Sequence, residues 1–177
     1  MSALRLINET TGTSISSLSV TDVFSSNFDI YKIEIEGDNY NANSLLTLKL
    51  INSSGSIITS NYDNATLNIR TDSTFNEYRT TGDTVFFNRA IGFFDYGNGS
   101  RQGGGAIIYI FNPYSSSYTF GLCQSSGDFK TGEMTSQKGI GVYKSTDTIT
   151  GYQVTQDTYT ATYGEIKTKT YGLRVDS

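Results

Sequence analysis

In Asp29-Ile30-Tyr31-Lys32-Ile33-Glu34-Ile35-Glu36, Tyr31, Ile33 and Ile35 alternate with Lys32, Glu34 and Glu36. Successive side chains of an extended chain point to opposite faces, so this spacing makes one apolar face and one charged face. A helix would scatter both sets around its axis. The stretch therefore predicts a strand with one face in water, and the same period recurs on either side of it. Leu46, Leu48 and Leu50 alternate with Thr47 and Lys49, and Ala65, Leu67 and Ile69 alternate with Thr66, Asn68 and Arg70. In each case the polar members are expected on the wet face.

Clusters of Gly, Asn and Ser bound these runs, the punctuation of strands and turns. Asn52-Ser53-Ser54-Gly55-Ser56 is a strong turn signal and predicts a hairpin between the second and third strands. From Ala106 to Phe111 the chain is apolar on both faces, which predicts a central strand covered on both sides, with a neighbouring subunit as one source of cover. Asn112-Pro113-Tyr114-Ser115 then turns the chain, its proline presetting φ, and Tyr118 to Gln124 returns as the next strand. Further strands are expected at Ala3 to Asn8, Ser14 to Val20, Gly139 to Lys144, Thr148 to Thr155 and Ile166 to Val175. Two irregular stretches are expected, Asp95 to Gly105 and Ser125 to Ser136. The fold class that follows is all-β: one antiparallel, jelly-roll-like β-sandwich over residues 1–177, with about nine or ten strands and little helix. Ile108, Ile110, Leu122 and Val142 are its expected core residues.

Histidine is absent from the 177 residues, and imidazole is the usual general acid, base and transition-metal ligand. An enzyme would have to run on carboxylates, and Glu34, Glu36, Asp63, Asp72, Glu77, Asp95, Asp128 and Glu133 read as residues of turns and wet faces. No catalytic activity is expected. Calcium would find its best oxygen donors at Asn61-Tyr62-Asp63-Asn64 and Asp38-Asn39, but neither has the spacing of a calcium loop, and turn-forming side chains explain both. No metal and no cofactor is expected. Net charge is −4 and the 13 Lys and Arg are scattered singly, so nucleic acid is not an expected partner. No segment has the length of a membrane span or the pattern of a secretory signal. Cys123 has no second cysteine to pair with, and its apolar neighbours predict a buried small hydrophobe. Triplets of the glycan-acceptor type occur at Asn8, Asn52, Asn64 and Asn98, as chance allows in a chain this rich in Asn, Ser and Thr.

Several segments carry a resemblance: Val20-Thr21-Asp22-Val23-Phe24-Ser25-Ser26, Phe28-Asp29-Ile30-Tyr31-Lys32-Ile33, Phe111-Asn112-Pro113-Tyr114-Ser115-Ser116, Lys138-Gly139-Ile140-Gly141-Val142 and Thr170-Tyr171-Gly172-Leu173-Arg174-Val175-Asp176. In this order they resemble small virion structural proteins of marine tailed bacteriophages of the cyanophage type. The resemblance implies a virion component, assembled in the host cytoplasm, with the major capsid protein or other virion proteins as partners. A capsid decoration protein is the first expectation. A tail or fibre component, or a receptor-binding adhesin for host carbohydrate, is the alternative, and self-association is compatible with either. Loops at the ends of a sandwich are free to meet a partner, so Gly97, Asn98, Arg101 and Gly103 in the glycine-rich stretch and Pro113 and Tyr114 in the proline turn are the candidate contact residues.

Overall fold

The computed structural model of the chain describes residues 3–39, 44–72, 75–94, 104–130, 133–156 and 163–174. Among them there is no helix. The strands of the first half are β1 (Ala3–Ile15), β2 (Ser17–Val20), β3 (Ile30–Asn39), β4 (Ser44–Asn52), β5 (Tyr62–Arg70) and β6 (Phe75–Asp83). Those of the second half are β7 (Phe87–Phe94), β8 (Gly104–Phe111), β9 (Thr119–Lys130), β10 (Glu133–Tyr143), β11 (Ile149–Gln156) and β12 (Tyr163–Arg174). They form an eight-stranded sheet in the order β1-β12-β3-β8-β9-β10-β5-β6 and a four-stranded sheet in the order β2-β11-β4-β7. Every pairing is antiparallel.

The pairings nest: β1 with β12, β2 with β11, β3 with β8 and β4 with β7. A long hairpin rolled up in this way is the jelly-roll pattern expected from the sequence. Two local hairpins, β5-β6 and β9-β10, are inserted into it and widen one sheet to eight strands. The strands beyond the nine or ten expected are β6 and β7, neither of which carries a period-two signal that the sequence reading placed. The stretch Ser125 to Ser136, expected to be irregular, largely extends β9 to Lys130 and starts β10 at Glu133.

The core lies between the sheets. Tyr31, Ile33 and Ile35 of β3 and Leu46, Leu48 and Leu50 of β4 are all fully buried, as their alternation predicts. The Tyr62 hydroxyl sits at the seam, accepting from the Leu50 backbone N–H at 3.0 Å and donating to the Ile58 carbonyl at 3.2 Å. The turn at Asn52–Ser56 forms, with Gly55 at φ 78° and the Asn52 side chain accepting from Ser54 and Ser56. It does not make the expected hairpin, because β4 and β5 belong to different sheets and the chain crosses between layers there.

In β5, β9 and β10 the large and small residues have changed places relative to expectation. Asn64, Thr66 and Asn68 are buried, whereas Ile69 is 49% exposed. Leu122, expected in the core, is 43% exposed, and Val142 is half-buried. The cause is the covering layer: Phe86 and Phe87 lie directly on β9 and β10. A Cβ on Gly121 would stand 2.6 Å from the Phe86 ring and 2.7 Å from that of Phe87, and one on Gly141 2.5 Å from the Phe86 carbonyl oxygen. Those faces can point inward only because they carry no side chain there, which turns Phe120, Leu122 and Ile140 outward. The hydroxyls and amides further along the same inner faces bond one another, Thr135 donating to Asn68 Oδ1 at 2.8 Å and Ser125 to Gln137 Oε1 at 3.1 Å. Ile108 and Ile110 are fully buried and β8 is central, but Ile107 and Tyr109 on its other face are 44% and 38% exposed. Among the described residues nothing supplies the second cover expected for β8.

Candidate functional site

Opposed residues of paired strands share a face, so the ladder registers lay out the outer surface of the large sheet row by row. One row runs Leu4, Leu173, Ile30, Phe111, Phe120 and Val142. The next runs Leu6, Tyr171, Lys32, Tyr109, Leu122, Ile140, Ala65 and Arg79. These two rows make an apolar band across the sheet, interrupted by Lys32 and closed at the β6 edge by Arg79. Seven large side chains on and beside it, Leu4, Leu6, Ile107, Tyr109, Phe120, Leu122 and Ile140, are each between 38% and 55% exposed. Contiguous apolar surface on that scale marks an interaction site on a folded protein, whereas isolated exposed leucines do not.

The band deepens into a concavity of about 510 Å³ floored by Phe111, Phe120, Leu122, Ile140, Val142 and Ala65, with Arg79, Thr80 and Thr81 of β6 along one side. Beside the Gly105 end of β8 the outer face is more polar. A second depression of about 570 Å³ is lined by Glu34, Glu36, Ile107, Gln124, Ser126 and Ser136. Across β3, β8 and β9 the face is thus apolar at the Phe111 end and polar at the Gly105 end, while Ile69, Phe75 and Met134 are exposed toward the Gly105 end of β5, β6 and β10.

Three carboxylates around this face, Glu34, Asp63 and Glu9, are held ionised by lysines. Lys32 donates to Glu34 at 2.6 Å and the Tyr171 hydroxyl donates to it at 3.2 Å; the lysine hydrogen bond, ahead of any other cause, keeps the Glu34 carboxyl below the usual range. Asp63 is lowered likewise by Lys144 at 2.8 Å and by the Gly82 N–H at 2.9 Å, and Glu9 by Lys167 at 2.6 Å. A general acid at neutral pH needs the opposite shift. Asp63 and Asn64, the best calcium donors in the sequence, stand on opposite faces of β5, Asp63 toward Lys144 and Asn64 inward to Asp83 and the Val85 carbonyl. Among the described residues no group of three or more His, Cys, Asp or Glu could hold a metal ion.

Of the expected contact residues, Gly97, Asn98, Arg101 and Gly103 lie outside the described residues. Pro113 is buried, its carbonyl accepting from the Ile149 N–H at 2.8 Å, so it shapes the turn from within. Tyr114 is 42% exposed and Tyr118 46%, both at the Phe111 end of β8, the end that carries the apolar band. Gly104, the first described residue after the glycine-rich stretch, stands at the other end of β8. Phe120, Leu122 and Ile140 were not among the expected contacts. The available signal was β8, whose two apolar faces exceed what one core can bury.

No family model matches the chain, and no curated protein sequence matches it. Solved structures match at low similarity. A bifunctional GH43-CE protein of Bacteroides eggerthii is 8% identical with a TM-score of 0.35, over 84% of this chain and 19% of that one. A fructofuranosidase from Schwanniomyces occidentalis is 8% identical with a TM-score of 0.32, over 98% of this chain and 34% of that one. Arcelin-5, a lectin-like defense protein from Phaseolus vulgaris, is 9% identical with a TM-score of 0.30, over 99% of this chain and 93% of that one. The chain therefore spans about a fifth and a third of the first two proteins. Likeness at this level says nothing about activity or ligand.

Proposed function

We propose that the chain is a non-catalytic virion structural protein, a decoration protein that docks on the outside of a phage head through the apolar band of its large sheet. The observation that carries the docking is the inversion of β9 and β10: Phe120, Leu122 and Ile140 face water while Gly121 and Gly141 face the core. Folding alone gains nothing from that arrangement, since burying the large side chains is worth roughly 1.5–3 kcal/mol each. A partner surface recovers it. The virion context rests on the resemblance of the segments from Val20 to Asp176 to phage structural proteins.

The test is rebinding to capsids stripped of decoration. Wild-type protein should bind at many copies and raise the heat resistance of the shell, because a ligand specific for the assembled state stabilises it by mass action. The triple variant Phe120→Ser, Leu122→Ser, Ile140→Ser should keep its circular dichroism and thermal transition and lose the binding. Failure of the wild-type protein to bind, with labelling confined to the tail, would move the assignment to a tail or fibre component. The polar end of the same face favours that second reading in one respect. Glu36, Gln124, Ser126 and Ser136 offer donors and acceptors around Ile107, a combination suited to sugar hydroxyls. Binding of host polysaccharide that is lost in Gln124→Ala would establish it.

A further inference from the structure

We propose that β6 pairs antiparallel with β6 of a second copy of the chain, about a two-fold axis midway between the two Tyr78 residues. β6 bonds β5 on one side, and its other edge is free of any described strand. From Phe75 to Thr81 it keeps one register against β5 without a break. The other edges are poorer templates: β1 is broken by a register shift between Leu6 and Asn8 and by left-handed Ser14, β2 has four residues, and β7 meets β4 with two shifts. Irregularity of that kind is how proteins protect an edge; in β6 it is confined to the Thr81–Asp83 end, where the register shifts and Gly82 is left-handed, and Phe75 to Thr81 lacks it.

The charges on β6 choose the partner. Phe75, Glu77, Arg79 and Thr81 share the outer face, opposed to Ile69, Leu67, Ala65 and Asp63 of β5. Among the described residues neither Glu77 nor Arg79 takes part in an ion pair within its own chain. Antiparallel pairing centred on Tyr78 sets Glu77 of each copy opposite Arg79 of the other, two reciprocal pairs of opposite sign. Sliding the register by two residues either way puts Glu77 opposite Glu77 or Arg79 opposite Arg79, and a slide by one sets outer faces against inner ones. One register is therefore self-complementary. It also covers Phe75, at 62% the most exposed large apolar side chain described, by placing it across from Thr81 of the second copy, on the rim of the apolar concavity. The two-fold axis is normal to the sheet, so the large sheets of both copies continue into each other and their apolar bands face the same way. Closed two-fold dimers of this isologous kind are the commonest homo-oligomers.

Sedimentation velocity across the micromolar range tests the pairing. Wild-type protein should associate to a dimer. Glu77→Arg and Arg79→Glu should each weaken it about tenfold or more, since each turns two attractive pairs into two repulsive ones. The double variant Glu77→Arg, Arg79→Glu should recover the dimer. In Tyr78→Cys the two thiols would be directly opposed and within disulfide reach, so mild oxidation should give a covalent dimer, while Arg79→Cys should not. Cys123 is buried and takes no part. A monomer at all concentrations, a dimer indifferent to the single reversals, or a double variant that stays monomeric would each overturn the proposal.

Discussion

Ile108 and Leu122 are both aliphatic and lie near the middle of neighbouring strands, yet one is sealed in the core and the other is 43% exposed. Ile108 is opposed to Cys123 and shares its inward face, while Leu122 is opposed to Tyr109 and shares the outward one. Truncating Ile108 to alanine should cost about 2–5 kcal/mol, because the layers cannot close over the lost atoms. Leu122→Ala should cost less than about 1 kcal/mol, measured by urea denaturation of the two variants side by side. Comparable losses would mean that the outer face is packed in the isolated chain. The inward face of β8 was legible in its isoleucines, and the burial of Cys123 in its apolar neighbours; burial pushes that thiol well above its ordinary pKa. The outward face of Leu122 was not legible, because a leucine between two small residues reads as the apolar side of any strand. What reversed it was a pair of rings from the other layer, supplied by a segment more than thirty residues away in sequence.

At the scale of elements, β3 could be read because charged residues mark its wet face, and charge has only one comfortable side of a sheet. β5 offers Thr66 and Asn68 against Leu67 and Ile69, and polar side chains that find partners can go inward, as these do, Thr66 donating to the Asn88 carbonyl and Asn68 accepting from Thr135. β6 escaped the sequence reading for a related reason: Asn76-Glu77-Tyr78-Arg79-Thr80-Thr81 has no apolar period, since an edge strand with both faces partly wet needs none. The proline turn was found and Tyr114 with it, but the contact surface itself depends on β9 and β10 being inverted. That inversion has a direct test. Gly121→Ala should destabilise the protein by about 1–3 kcal/mol, as overpacking does, because the Phe86 and Phe87 rings have to move. A loss under about half a kcal/mol would show that the rings do not press on β9.

For the whole molecule, the nested order of pairing means that the strands brought together by β1 and β12 are the most distant in the chain. Loop closure over such separations has to precede the contacts that reward it, so refolding should be slow for a chain of this size. Stopped-flow refolding by tyrosine fluorescence should show a main phase of milliseconds to seconds or longer; completion in microseconds would contradict the nested topology. The same nesting places Ala3 directly opposite Arg174, at one end of the β1-β12 ladder. Tension applied between those two residues meets the ladder one rung at a time and opens it as a zipper opens. Pulled on elsewhere, along the length of paired strands, the same sandwich would load many rungs at once. The sandwich is thus mechanically weakest at the Ala3–Arg174 rung of this ladder, and it would bear load best when held by the broad face of its sheet.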